Sequence, residues 1–449
     1  MQFPRCFLGG IAMVFAGVFA PLGAGETPAL TYDNFESPQR CTACHKEIVQ
    51  EWRQSLMAQA YTHPWDEQEY FKLALPHALK DAKVAEVKAG CIGCHSPLAF
   101  LTGDIPPQRV AAGTRANEGV SCDVCHSITG TTEEEPFNFS YITEVDGSKT
   151  GRYPDAKSSR HGIKVTEFLG SPKLCAICHD EQSPYGAWVK ETYREWKAGP
   201  YAKEGVRCQD CHMYHAPGKA ALGGKERPRV ARHTFHGSHT PSKLAGSVDL
   251  ALYADRTTAE PGEDIVVRAV LFNGKTGHYI PSGSTEERML WLEVTAAGPD
   301  GAARVIPVEP KGFPGEEYTI ADGSILAYQD MGAIMEIENF KGISRDGDVP
   351  KGCRIFRRPF FDPQGRMTIC QWNTVKNTAI DYRIGPRETK IERYAIAVPT
   401  DAAAGELTVR ARLLYSQIPT SLGRFLQLPA EESAPITVNE AVIVIAIEK

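Results

Sequence analysis

Three hydrophobic patterns follow one another along the chain. The first is a single apolar run from Phe7 to Phe19, interrupted only by glycines, with Arg5 before it and the breaker and small residues Pro21 to Gly25 after it. That run is shorter than the roughly 20 apolar residues a membrane-spanning helix needs, and its flanks are those of an export signal cleaved near Ala24. The second pattern, from about Ser37 to Gly246, consists of short helical segments between loops rich in Gly and Pro. Within it, Gln68 to Lys88 predicts the longest ordinary helix, because Phe71, Leu75, Leu79 and Ala82 recur at four- and three-residue intervals. From Ser247 the period changes to two: "DIVVRAVLF", "MLWLEVTAAG", "RYAIAVP", "LTVRARLLY" and "AVIVIAIE" alternate or run β-branched between turn residues, which predicts strands.

The expected architecture is therefore α+β in two domains. A signal peptide over 1–24 precedes a helical, loop-rich domain over 25–246, and an all-β, immunoglobulin-like sandwich occupies 247–449. The stretch from Pro307 to Pro386 lacks either period and reads as a surface excursion, with Arg354, Arg357 and Arg358 as a solvated face or a dock for an acidic partner.

Composition narrows the function classes. With 42% hydrophobic and 23% charged residues among 449, the mature chain is an ordinary water-soluble protein, and no later segment is long enough to span a membrane. A formal net charge of -6 leaves no basic excess for a phosphate backbone, so nucleic acid is excluded as a partner.

The 13 cysteines and 13 histidines carry the chemistry. Five times the chain reads Cys-x-x-Cys-His: Cys41, Cys44 and His45; Cys91, Cys94 and His95; Cys122, Cys125 and His126; Cys175, Cys178 and His179; Cys208, Cys211 and His212. This is the attachment signature of c-type haem. Cysteines three apart lie on one side of a helical turn, where each can form a thioether with one porphyrin vinyl group, and the next residue falls beneath the iron as proximal ligand. A zinc knuckle or redox disulfide gives no reason for His after every second Cys. Five covalently bound haems within the 172 residues from Cys41 to His212 must form much of their own core. Cys6 leaves with the signal, so Cys353 and Cys370 remain, and in an oxidising compartment the expectation for them is a disulfide worth about 3 kcal/mol.

Each iron has a sixth position to fill. The histidines outside the motifs are His63, His77, His161, His215, His233, His236, His239 and His278, enough for every iron to be six-coordinate. At this point the sequence resembles the multihaem cytochromes c of the cytochrome c-554/c-552 kind, over about residues 37 to 295. The likeness rests on CTACH followed by "EWRQSLMAQAYTHPW", on "EGVSCDVCHSITG", on "REWKAGPYAKEGVRCQDCHM", on "RHTFHGSH" and on "NGKTGHYIPSG". It implies distal ligands at Met57, His161, His233 and His278. The fifth would come from His63, His77, His215, His236 or His239, among which the sequence does not choose.

The reading that follows is an exported pentahaem c-type cytochrome, periplasmic or at the cell surface, that transfers electrons between other redox proteins such as cytochromes or quinol-linked complexes and needs no catalytic residues. Two alternatives stand beside it. One is an oxidoreductase acting on a small nitrogen or sulfur compound at one open haem iron, and the other is a subunit of an extracellular cytochrome filament.

Overall fold

The computed structural model of the chain describes residues 29–308, 348–350, 352–377 and 381–448. The expected signal peptide, 1–24, lies outside the described residues, as does most of the irregular stretch after Pro307. Among the described residues no helix is long and apolar enough to cross a membrane.

Up to residue 246 small two-stranded sheets, such as His215–Lys219 with Glu226–Ala231, are interspersed in a series of helices of one to three turns. Each Cys-x-x-Cys-His sits on one of them: Pro38–Cys41 leading into Lys46–Arg53, Val87–His95, Cys122–Cys125, Lys173–His179 and Cys208–His212. The helix expected over 68–88 is broken. Pro64–Glu69 runs through a π-helical turn, Tyr70–Ala74, into Leu75–Lys80, and a separate 3-10 turn, Ala82–Val84, follows. Pro76 cannot donate to the preceding turn, which favours the wider turn before it. Asp81 then stops the helix and accepts a hydrogen bond from Lys83 N at 2.8 Å. The buried face is Tyr70, Leu73, Ala74 and Ala78, while Leu79 is 69% exposed, so the face read from the sequence is rotated from the real one.

From residue 247 the chain forms two large sheets, and within the irregular stretch Phe360–Phe361 pairs with Met367–Thr368 and Lys376–Asn377 in a third, small one. The strands of the two large sheets are β1 (Asp249–Ala254), β2 (Thr258–Ala259), β3 (Asp264–Phe272), β4 (Met289–Ala297), β5 (Ala303–Val305), β6 (Arg354–Ile355), β7 (Thr389–Ala397), β8 (Gly405–Ser416) and β9 (Ile436–Ile447). One sheet has the order β7-β3-β1; the other has the order β2-β9-β8-β4-β5, with β6 also on β4. Pairing is antiparallel except for β2 with β9. Alternation sets the core between them: Ile265, Val267, Ala269 and Leu271 of β3 face Leu290, Leu292 and Val294 of β4 and Val409, Ala411 and Leu413 of β8. β4 is buried on both faces, because Met289 and Trp291 pack outward under Val349, Cys353 and Ile355.

The irregular stretch is not a surface excursion where it is described. Phe356, Phe360, Ile369 and Trp372 are buried, and Arg354 and Arg357 are only 2% and 1% exposed. Arg354 pairs with Glu392 on β7 at 3.0 Å, and Arg358 meets Glu191, so these arginines are internal ties rather than a solvated face. The packing reason lies in the neighbouring helical half, whose Tyr61, Trp65, Tyr70 and Leu73 share one apolar cluster with Ile369, Cys370, Trp372, Ile418, Leu422 and Leu426. Cys353 and Cys370 are both buried, in different clusters. The helical half and the sandwich are further pinned by Glu195, which accepts from Tyr279 N at 3.1 Å and Ser282 Oγ at 3.0 Å and pairs with buried Arg383 at 2.7 Å.

Candidate haem-binding site

All ten motif cysteines and all five motif histidines line one connected cavity of about 2550 Å³. Cysteines of different motifs touch. Cys41 lies beside Cys122, Cys94 beside Cys178, and Cys175 beside Cys208. The first motif thus abuts the third, and the fourth abuts both the second and the fifth. Between the first and third the backbone approach is close: Val120 N donates to Met57 O at 2.9 Å and Trp52 Nε1 to Val120 O at 2.9 Å. Gly119 makes this possible, with φ +58° and a hydrogen where a Cβ would lie 2.6 Å from Ala58 O.

Five of the histidines outside the motifs line the same cavity: His63, His161, His233, His239 and His278. Three of them stand opposite a motif histidine. His45 faces His161 with ring centres 6.4 Å apart, His126 faces His233 at 6.4 Å, and His212 faces His278 at 6.5 Å, with interplanar angles of 30°, 25° and 14°. A nitrogen bound about 2 Å from a metal, with the ring centre about 1.15 Å beyond, puts two trans imidazoles about 6.3 Å apart. The three pairs match that separation.

The proton positions also suit ligation. Nδ1 of His45 donates to Ala220 O at 2.7 Å, of His126 to Thr150 O at 2.7 Å and of His212 to His236 O at 2.7 Å. Opposite them, Nδ1 of His161 donates to Gly162 O at 2.8 Å, of His233 to Ala231 O at 3.1 Å and of His278 to Tyr279 O at 2.8 Å. A carbonyl can only accept, so Nδ1 carries the proton in all six and Nε2 keeps its lone pair for a metal. Burial keeps His212 and His233 neutral, with pKa values lowered to about 4, and lowers His126 and His278 in the same direction. Neutral imidazole is the form that binds metal.

The second motif differs. Burial alone would depress His95, but Asp66, whose Oδ1 lies 3.2 Å from its Nδ1, holds it up to about 9. Ala60 O also accepts from this Nδ1 at 2.9 Å. His179 of the fourth motif is lowered to about 4 by burial. Among the described residues no ring faces His95 or His179 at the separation of the other three pairs. Beside His95 lie Glu69 and Lys190, members of a buried charged group in which Glu69 neighbours Glu287, Glu286 is raised to about 8 by burial, and Lys190 pairs with Glu181 at 2.5 Å.

The remaining sequence candidates fall as follows. His77 is used up by Trp372, whose Nε1 donates to its Nδ1 at 3.2 Å, and by Asp81 at 3.7 Å. His215 meets Arg229 at 3.2 Å on a hairpin. His236 is exposed and acts through its backbone carbonyl on His212. Met57 packs with Val49, Trp52 and Ala58 beside Cys41 and Cys122. His63 and His239 lie against each other, ring centres 5.3 Å apart and edge to face. Sequence reasoning missed the backbone carbonyls that hold each Nδ1, since any residue type supplies one. It also missed Asp66, although its place three residues after His63 was a legible signal.

Comparison with known proteins agrees with this geometry. Residues 40–127 match the sequence model of the family described as cytochrome c554 and c-prime. The fold is similar to the crystal structure of a penta-haem cytochrome c552 from Thermochromatium tepidum, with a TM-score of 0.61 at 20% identity over 92% of this chain and 99% of that chain. The sporulation control protein Spo0M of Bacillus subtilis, at a TM-score of 0.16 and 10% identity over 45% of this chain and 49% of that chain, is too distant to carry an argument. No curated protein matches the sequence. The resemblance to the cytochrome c554 kind, over residues 40–127, and the fold of a helical, loop-rich region followed by a β-sandwich are thereby borne out.

Proposed function

We propose that this chain is a multihaem c-type cytochrome, an exported pentahaem carrier that passes electrons between redox proteins of the periplasm or cell surface; the family match over residues 40–127 and the fold support the reading. One observation carries the reading: three motif histidines each face a second, proton-ordered histidine at the separation of two trans ligands. Haem held in this way supplies a one-electron couple with no vacant position for substrate. The ten motif cysteines would attach five haems, with His45, His95, His126, His179 and His212 as proximal ligands, and His161, His233 and His278 would be the distal ligands of the first, third and fifth.

The protein's part is to bind, order and shield them. Contacts between cysteines of different motifs fix which groups are neighbours, and the carbonyls on Nδ1 fix each ring's orientation. The sandwich contributes His278 on a loop that Asn273 ties down through His278 O at 3.2 Å and Ile384 O at 3.1 Å, so the ligand is held before it binds. Partners would be cytochromes or quinol-linked complexes. Cys353 and Cys370, exported with the chain, would be the pair expected to oxidise.

A second reading is favoured by the buried carboxylates Glu69, Glu286 and Glu287 near His95. They could handle protons for reduction or oxidation of a small nitrogen or sulfur compound at the second motif's iron. One experiment separates the readings: the intact mass of the secreted protein counts haems, and carbon monoxide titration of the reduced form counts open irons. Five haems with no carbon monoxide uptake supports the carrier. Uptake of one equivalent supports the second reading. Fewer than three low-spin irons would overturn the ligand pairs themselves.

A further inference from the structure

His63 and His239 are the two cavity-lining histidines outside the motifs that oppose no motif histidine, and they do not stand to each other as two trans ligands of one iron would. Their ring centres are 5.3 Å apart at an interplanar angle of 87°, about 1 Å closer than the pairs described above. Two imidazoles bound to one metal at the tetrahedral angle stand about 5.1 Å apart, against about 6.3 Å for trans ligands. A carboxylate completes the set. Glu432, from the segment before β9, places Oε2 3.2 Å from His63 Nε2, and one ligand atom from each of the three residues lies within 4.8 Å of the others. Neighbouring ligands on a tetrahedral ion are about 3.3 Å apart.

We propose that His63, His239 and Glu432 hold a mononuclear, non-haem divalent transition ion of the copper or zinc class. Two imidazoles and one carboxylate suit those ions, and copper binds such donors more tightly than zinc. All three residues line the cavity, so the fourth position faces it, which is the pattern of a reactive rather than a structural site.

One feature of the surroundings points the same way. His63 is nine-tenths buried with no hydrogen bond on Nδ1, which faces Asp66 Oδ2 at 3.5 Å, the orientation of a carboxylate behind a metal-bound histidine. The one adverse neighbour, Arg288, lies over the Trp65 ring at 4.4 Å and donates to Gln417 O at 2.9 Å, while Asp66 and Glu432 offset its charge. Asp66 touches both His63 and His95, so the ion would sit one carboxylate away from the second haem motif.

The test uses the haem-loaded protein, stripped with a chelator and then titrated separately with copper(II) and with zinc(II), with metal counted by mass spectrometry. We expect one non-haem ion per chain. Glu432→Gln and His239→Ala should each lose at least about tenfold in affinity. In both variants the haem count, the ferric low-spin spectrum and carbon monoxide uptake should stay as in the parent, which also shows that the variants fold. Absence of saturable binding for either ion would leave His63 and Glu432 as an ordinary ion pair and overturn the proposal. So would a new high-spin signal in His239→Ala, which would make His239 an axial haem ligand.

Discussion

Replacing His278 by Gly tests the ligand geometry and the role of the sandwich together. His278 lies 6.5 Å from His212 with the rings only 14° from coplanar, and its Nδ1 proton is spent on Tyr279 O, so the only work left for Nε2 is towards the cavity. Removing the ring opens one iron in five. The ferric absorbance of one haem should therefore move from the low-spin to the high-spin position, and the reduced protein should take up one equivalent of carbon monoxide more than the parent. Imidazole favours ferric over ferrous iron, and each tenfold of that preference is about 59 mV for a one-electron couple, so a loss of one to two decades raises one midpoint by about 60–120 mV. The loop itself should hold, because Asn273 and the Glu195–Arg383 pair anchor it independently of the ring. The space left is that of an imidazole, so added imidazole should restore the low-spin spectrum and the original midpoint. A variant whose spin state, carbon monoxide uptake and five potentials are all unchanged from the parent would refute the assignment and leave the sandwich without a haem ligand.

Other consequences are as direct. Gly119→Ala forces a Cβ to within 2.6 Å of Ala58 O at a φ of +58°, so thermal unfolding should show a loss of at least about 1–3 kcal/mol, with the first and third haems perturbed before the fifth. Glu195→Ala leaves Arg383 buried beside Asp381 alone and should cost about 3–5 kcal/mol in denaturant unfolding, whereas Glu195→Gln, which keeps the bonds from Tyr279 and Ser282, should cost less. Glu286 is raised by burial from 4.5 to about 8, so the folded state binds a proton that the unfolded state has released between those values. Stability should therefore fall as pH rises from about 5 to about 8, by a few kcal/mol, and Glu286→Gln should flatten that slope; an unchanged slope in the variant would remove Glu286 as its source. Met57→Ala should loosen the cluster of Val49, Trp52 and Ala58 by about 2–5 kcal/mol without creating a high-spin signal, because His161 and His233 already face the neighbouring motif histidines.

What the sequence determined by itself is whatever depends on near neighbours in the chain. Cys-x-x-Cys-His is read within one helical turn, so the motifs and their proximal histidines were legible without a fold. The strands were equally plain, because a sheet with one face in a core writes a period of two: "DIVVRAVLF" is β3 from end to end. The resemblance of the "GHYIPSG" loop singled out His278, and the structure sets it opposite His212. Local signals misled in two ways. Pro76 and Asp81, inside the stretch itself, broke the helix expected over 68–88, whereas a distant neighbour intervened at Arg354, which the sandwich took in through Glu392, 38 residues further on. Tertiary structure alone decided which histidine faces which motif, because His161, His233 and His278 reach their partners across 116, 107 and 66 residues. It alone also brought Glu432 to His63, and aimed carbonyls of no particular residue type at each Nδ1. Such pairings depend on chain folding over long separations and on backbone groups that every residue shares, so no local pattern records them.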